Sequence, residues 1–131
     1  MDPHRIRTLA RELPELHIGP DTTEEEAFAA MRMLGSFNQC LLGMARFSGQ
    51  TPWEWHPDDE LLCLVEGEVE VTLLPAEGGP ATITVMAAGD ILIVPRRTWH
   101  RQFPRPSAAL VFVTSSEGNR HSETEDPRES A

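Results

Sequence analysis

The sequence has few cysteines, few basic residues and no long apolar run. Its two cysteines, Cys40 and Cys63, lie in neither a CxxC pair nor a dense Cys/His cluster. The pattern indicates neither a disulfide scaffold nor a zinc ribbon, and we expect a reducing, cytoplasmic location. The 11 Lys and Arg residues face 21 Asp and Glu residues, so the net charge is −10. Such a chain repels phosphate backbones and anionic lipid, which argues against nucleic acid or a membrane surface as a partner.

Membrane-spanning and export signals are also missing from the pattern. No apolar stretch approaches the roughly 18 residues that a membrane span needs. The first residues, MDPHRIRTLARELPEL, carry scattered charges and no apolar core of signal-peptide length. We therefore expect a soluble, unexported protein, and 131 residues fit one domain of ordinary size.

Three regions follow one another along the chain. Residues 1–36 predict a short N-terminal helical extension, with a helix at about 24–34 that begins at a capping box formed by Thr23 and Glu26. Residues 37–114 contain short apolar runs separated by turn residues. Residues 115–131 are dense in charge and contain no core-forming side chain, which predicts a disordered acidic tail.

The middle region predicts an all-β domain. Many short strands at even spacing are typical of a sandwich or barrel. The predicted strands are 38–47, 52–56, 60–66, 68–74, 81–87, 91–94, 99–103 and 108–114.

Metal-competent side chains are concentrated in the stretch TPWEWHPDDELLCLVEG, residues 51–67. Glu54 and His56 lie two positions apart, so on a strand they share one face, and Glu60 returns toward them after a turn. A fourth group, His100, follows a buried strand and a proline turn. The sequence therefore predicts that two imidazoles and one or two carboxylates converge.

These positions resemble the two sequence motifs of the cupin superfamily. In the first motif, His56, Glu60 and Gly67 fall in register as His-x3-Glu-x6-Gly, and in the second Gly89, Pro95 and His100 fall in register. Some positions differ from the family pattern. Glu54 stands where the family usually has a histidine, Arg97 replaces a glycine and Pro104 replaces an asparagine.

The resemblance implies a double-stranded β-helix, a jelly-roll barrel at residues 37–114 with its ligands facing inward at one mouth. It also implies a metal site at His56, Glu60 and His100. Two neutral imidazoles with one or two carboxylates suit divalent Fe, Mn, Ni or Zn. Glu54 is either a fourth metal ligand or an outer-shell base, and a barrel that holds no metal is the alternative.

Other polar residues receive smaller roles. Gln102 shares a strand face with His100, which makes it a candidate contact for a substrate or an ordered water. His4, His17 and His121 lie outside the predicted barrel and receive no role.

Three functional hypotheses stay open at this point. The first is a mononuclear metalloenzyme, an oxygenase or isomerase that acts on a small polar organic molecule. The second is a small-molecule binding or sensing module without turnover, and the third is a metal-free barrel that serves as a partner protein. A homodimer is expected under all three, and fold alone does not choose among them.

Overall fold

A computed structural model describes residues 1–129 of the chain, and most of these residues lie in β-strands. The two α-helices are short and both precede the barrel. The elements are α1 (Ile6–Glu12), β1 (Glu15–His17), α2 (Glu24–Ala30), β2 (Arg32–Phe37), β3 (Cys40–Ser48), β4 (Trp53–Trp55), β5 (Glu60–Leu74), β6 (Thr82–Ala87), β7 (Ile91–Val94), β8 (Trp99–Ser115), β9 (Arg120–Ser122) and a 3-10 turn (Pro127–Glu129).

Two long strands, β5 and β8, organise the sheet. They pair antiparallel along almost their whole length, and β5 also pairs with β6 and β7. β8 pairs with β3 and β4, while β1 and β2 add to β3 and β9 adds to β4. This arrangement confirms the predicted all-β fold of jelly-roll type.

Gly67 joins two predicted strands into one. The sequence predicts strands at 60–66 and 68–74, and the structure connects them as β5 through register shifts on either side of this glycine. Gly67 has a φ of 89°, and a Cβ atom there would collide with the carbonyl oxygen of Ser107 on β8. Only glycine combines that backbone conformation with so close an approach.

The barrel interior is filled by alternate residues of its strands. Side chains two apart share a face, so the inward positions of β5 and β8 form one continuous core. The core residues are Phe47, Leu62, Leu64, Val69, Val71, Met86, Val94, Ala108, Leu110 and Phe112.

A second apolar cluster lies on the outer face of the sheet beneath α1. Ala10 and Leu13 from the N-terminal segment pack there against Met44, Ala109 and Val111. The alternate residues of β8 are therefore buried on both faces, because the barrel core covers one side and α1 covers the other. The N-terminal segment is thus part of the packed domain.

The N-terminal region contains strands as well as helices. The capping box at Thr23 and Glu26 forms as predicted, with both of its reciprocal hydrogen bonds. α2 nevertheless ends at Ala30, and Met31 is already extended, with ψ of 150°. The reason is pairing: β2 satisfies its backbone groups against β3, which outweighs the helical spacing of the apolar residues up to Leu34.

The C-terminal region differs from the predicted disordered tail. Arg120–Ser122 form β9, which pairs antiparallel with β4, and Pro127 is buried. The side chain of Arg128 donates hydrogen bonds to the carbonyl oxygens of Pro75 and Gly79. Backbone pairing and these polar contacts hold a segment that has no large apolar side chain. Ser130 and Ala131, the end of the predicted tail, lie outside the described residues.

Within residues 1–129, no helix is both long enough and apolar enough to cross a membrane.

Candidate functional site

Three neighbouring strands bring the predicted site residues to one place. Glu60 begins β5 and shares its inward face with Leu62 and Leu64, so strand alternation places a carboxylate in the barrel interior. Glu54 on β4 is directly opposite His100 on β8, and cross-strand partners project to the same side of a sheet.

His56 follows β4 and is held by a turn from another part of the chain. The backbone N–H of Arg97 donates a 2.7 Å hydrogen bond to the carbonyl oxygen of His56. Arg97 has a φ of 56°, so this position keeps the left-handed conformation typical of glycine. The turn is therefore preserved at the position where the sequence differs from the cupin motif.

His56, Glu60 and His100 form a compact buried cluster. Nε2 of His100 lies 3.0 Å from one carboxylate oxygen of Glu60, and Nε2 of His56 lies 3.6 Å from the other. The metal-competent atoms of the three residues all lie within 4.8 Å of one another. His100 is 1%, His56 5% and Glu60 6% exposed. The cluster is thus nearly inaccessible to bulk water.

Glu54 lies at the outer side of this cluster. Its Oε2 is 3.8 Å from Nε2 of His56 and 3.9 Å from Nε2 of His121, and its side chain is 23% exposed. The compact set of metal-competent atoms does not include Glu54. The carboxylate therefore stands between the buried cluster and the more exposed His121.

The two imidazoles are oriented in the same way. Nδ1 of His100 lies 3.0 Å from the carbonyl oxygen of Thr98, and Nδ1 of His56 lies 2.8 Å from the side-chain oxygen of Asn119. Because both partners accept hydrogen bonds, each Nδ1 carries the proton. Both Nε2 atoms face Glu60, and Nε2 of His56 is buried and has no hydrogen-bond partner among residues 1–129.

All three residues of the cluster have shifted pKa values. Burial alone would lower the pKa of His100, but the hydrogen bond and charge of Glu60 outweigh burial and raise that pKa to about 8. Burial opposes the charge of Glu60, yet His100 and His56 hold its pKa below the usual value. Burial lowers the pKa of His56. At neutral pH the cluster therefore contains a His100–Glu60 ion pair and a neutral His56.

The pKa of Glu54 lies near neutral pH, well above the usual value of a carboxyl group. Burial, together with the nearby negative charge of Glu60, raises the pKa of Glu54 to about 7. A carboxyl group with such a pKa exchanges its proton at neutral pH, as a general acid or base must. This property is compatible with the role of a base, one of the two roles predicted for Glu54, and the role as a fourth metal ligand stays a prediction.

The residues present fit a divalent metal ion. Nε2 of His56 is a buried nitrogen with a free lone pair, and buried polar atoms usually have a partner. Two imidazole nitrogens with a carboxylate are the donors that divalent first-row metals prefer. Carbonyl or amide partners on the other ring nitrogen are typical of metal-binding histidines. The structure brings together all three predicted ligands, and their metal role stays a prediction.

Gln102 lies farther along the inner face of β8. It is opposite Val71, a core residue, and is 7% exposed. Its side-chain oxygen is buried and has no hydrogen-bond partner in the part of the chain that the structure describes. The predicted substrate-contact role therefore has a free acceptor to support it.

Sequence reasoning missed Asn119 and His121. Asn119 contacts His56, and His121, for which no role was predicted, is opposite Glu54 in the β4–β9 pair. Both belong to the segment predicted as a tail. A histidine two positions after an asparagine is too common a pattern to have indicated either contact.

Comparisons with known proteins agree with this fold. The family model described as the cupin domain matches residues 46–114. The uncharacterized protein YdbB of Bacillus subtilis (strain 168) is 33% identical over 69 residues, which are 52% of this chain and 57% of that protein. The match thus spans little more than half the length of this curated relative.

Solved structures are similar in fold at low sequence identity. Hydroquinone 1,2-dioxygenase from Sphingomonas sp. TTNP3, with 4-hydroxybenzoate bound, has a TM-score of 0.59 and 18% identity over 67% of this chain and 66% of that chain. An oxalate oxidase in complex with the substrate analogue glycolate has a TM-score of 0.58 and 23% identity over 70% of this chain and 54% of that chain.

Proposed function

The chain belongs to the cupin family, and we propose that it is a mononuclear metalloprotein in which His56, Glu60 and His100 hold one divalent metal ion. The observation that carries the proposal is the buried, unpartnered Nε2 of His56, which faces the Glu60 carboxylate beside Nε2 of His100. Fe, Mn, Ni and Zn all suit this donor set.

The proposed substrate is a small polar organic molecule, and the proposed reaction class is that of an oxygenase or isomerase. The fold relatives support this class, because one is a dioxygenase with 4-hydroxybenzoate bound and another is an oxidase with glycolate bound. A bound ion supplies Lewis acidity and, for a redox-active metal, electron transfer. Glu54 exchanges a proton near neutral pH, and the free oxygen of Gln102 accepts a hydrogen bond from the substrate.

Metal binding by untagged, chelator-treated protein tests the ligand set. We expect about one Mn(II) or Zn(II) per chain in calorimetric titration. His56→Ala and His100→Ala should each weaken binding by more than the roughly 10–100-fold that is typical of outer-shell residues. His17→Ala removes an exposed histidine on β1 and should bind as the wild type does. Equal binding by all four proteins would refute the site.

A metal-free ligand-binding protein is the second candidate. The 3.0 Å contact between His100 and Glu60 favours it, because this ion pair satisfies both groups without a metal. The visible spectrum of the Co(II)-loaded protein distinguishes the candidates when glycolate or 4-hydroxybenzoate is added. A change in the spectrum supports a substrate site at the metal. Failure to take up Co(II), together with calorimetric binding of a probe, supports the metal-free candidate.

We also propose a cytoplasmic homodimer. Ile83 and Val85 on β6 and Ile91 and Ile93 on β7 are more than half exposed, and a second copy would cover such apolar side chains. Cys40 and Cys63 are both free thiols, which suits a reducing compartment. Light scattering should give twice the chain mass for wild type and a lower mass for Ile91→Asp. A monomeric wild type would contradict the dimer.

A further inference from the structure

Asn119 lies on the short segment between β8 and β9, next to the cluster but outside the cupin match. Its side-chain oxygen is 2.8 Å from Nδ1 of His56. Its side-chain nitrogen donates a 2.8 Å hydrogen bond to the carbonyl oxygen of Ser115. Both the oxygen and the nitrogen of the Asn119 amide thus form a hydrogen bond.

The second contact fixes which way the amide points. The carbonyl oxygen of Ser115 only accepts hydrogen bonds, so the Asn119 nitrogen must lie against it. The Asn119 oxygen is therefore the atom that faces His56. An oxygen acceptor at 2.8 Å requires a proton on Nδ1, which leaves Nε2 of His56 as the unprotonated nitrogen.

The segment that carries Asn119 is tightly held at this point. Ser115 is 1% exposed, and its hydroxyl both donates to the Asp58 carboxylate and accepts from the Asp58 backbone N–H. Gly118 has a φ of 81°, and a Cβ there would approach Cγ of Pro57 to 3.2 Å. Pro57 and Asp58 directly follow His56 in the chain. The segment is thus locked to the turn that positions the imidazole.

From these contacts we infer that Asn119 is a positioning residue that fixes the Nδ1–H tautomer of His56 and thereby keeps its Nε2 available to the cluster. The inference rests on the proposed metal site for its purpose, but the tautomer itself is a property of the metal-free protein. In water an imidazole populates both tautomers. Without Asn119, a fraction of His56 would carry its proton on Nε2, the atom that a metal requires.

The tautomer is measured directly by ¹⁵N NMR of the histidine side chains in metal-free protein. For wild type we expect the pattern of a neutral ring with a protonated Nδ1 and a bare Nε2 at His56. Asn119→Ala should shift His56 toward a mixture of tautomers. Asn119→Asp retains an acceptor oxygen for Nδ1 but loses the hydrogen bond to Ser115. At a pH at which His56 of this variant is neutral, most of the Nδ1–H tautomer should be kept. Ser116→Ala is the matched control. Ser116 lies on the same segment as Asn119 and its hydroxyl donates to the carbonyl oxygen of Gln39, so its loss should leave the His56 tautomer unchanged.

Metal titration of the same four proteins gives the consequence. Removing an outer partner of a histidine ligand lowers metal affinity by about 10–100-fold. We expect a loss of that size for Asn119→Ala and recovery in Asn119→Asp. A far-ultraviolet circular dichroism spectrum like that of the wild type shows that Asn119→Ala is folded.

The outcomes separate this inference from the proposed function. An Nε2–H tautomer in the wild type, or an unchanged Nδ1–H tautomer in Asn119→Ala, overturns the role of Asn119. The expected tautomers in a protein that binds no metal support the role of Asn119 and overturn the metal site instead.

Discussion

The ion pair between His100 and Glu60 makes the stability of the metal-free protein depend on pH. The pKa of His100 rises from 6.5 to about 8 on folding, a difference of about 1.5 units. At 1.36 kcal/mol per unit, the protonated form of His100 stabilises the fold by about 2 kcal/mol. His100 is 1% exposed, so solvent screening takes little from this value.

The direction of this pH dependence follows from which state binds the proton more tightly. The folded state holds the His100 proton more tightly than the unfolded state does, so the full stabilisation is present below pH 6.5 and is lost as pH rises through 8. Glu54 acts in the same direction at lower pH, since its pKa rises to about 7 on folding. Between pH 7 and pH 9 most of the change in stability therefore comes from His100, and the half-protonated Glu54 adds a smaller part. We expect a total loss of about 1–2 kcal/mol over this range.

Urea unfolding in the presence of a chelator measures this loss, and Glu60→Gln tests its cause. Without the carboxylate, only the charge of Glu54 and the hydrogen bond with Thr98 still oppose the effect of burial on the pKa of His100. The fall in stability between pH 7 and pH 9 should therefore become much smaller. We expect the variant to be about 2 kcal/mol less stable than the wild type at pH 6 and closer to it at pH 9. His4→Gln, which changes an exposed histidine before α1, should follow the wild type. A Glu60→Gln curve parallel to that of the wild type would refute the reasoning.

Three further results are expected. Metal affinity should rise about tenfold per pH unit between pH 6 and pH 8, because the ion displaces the His100 proton, and calorimetry across this range measures it. Glu54→Gln should lower metal affinity less than tenfold, whereas the same change at Glu60 should lower it more than about a hundredfold, since only Glu60 belongs to the compact cluster. Gly67→Ala should cost about 1–3 kcal/mol more than Gly78→Ala in urea unfolding, because both have positive φ but only the first meets a backbone oxygen.

A specific outcome would contradict each of these three predictions. A flat affinity from pH 6 to pH 8 would mean that His100 is neutral in the metal-free protein. Equal losses in the two Gln variants would make Glu54 a full ligand. Equal costs at Gly67 and Gly78 would mean that β8 yields at the contact and that the glycine is needed for its φ alone.

The sequence predicted the parts of the fold that depend on local pattern. Alternation predicted that Glu54 and His56 lie on one side, and the spacing of the two motifs predicted that His56, Glu60 and His100 converge, as they do in the structure. The capping box at Thr23 depends on residues within one turn and formed as expected. These features could be predicted because their determinants are close in sequence or fixed by strand geometry.

The missed features depend on strand pairing that the apolar pattern of their own segments does not indicate. β2 was not predicted because the spacing of Met31 and Leu34 fits a helix. In the structure this segment is extended because its backbone groups pair with those of β3. β9 was not predicted because Arg120–Ser122 contains no apolar residue. The strand forms by pairing with β4. The Arg120 guanidinium adds contacts at 5.2 Å from the ring of Trp55 and 5.3 Å from that of Trp99. β3 follows β2 after only two residues, whereas the partners of β9 are distant in the sequence.

The position of β9 also bears on the substitution at residue 54. The cupin pattern has a histidine there, and this chain has Glu54, so the strand itself offers one imidazole fewer. In the β4–β9 pair, however, His121 is the direct partner of Glu54, and its Nε2 lies 3.9 Å from the carboxylate. The adjacent strand β9 thus places an imidazole beside residue 54. The His121 side chain is more exposed than that of His56. The exchange leaves a carboxyl–imidazole pair at the outer side of the cluster, beside the compact set of His56, Glu60 and His100 and more exposed than that set.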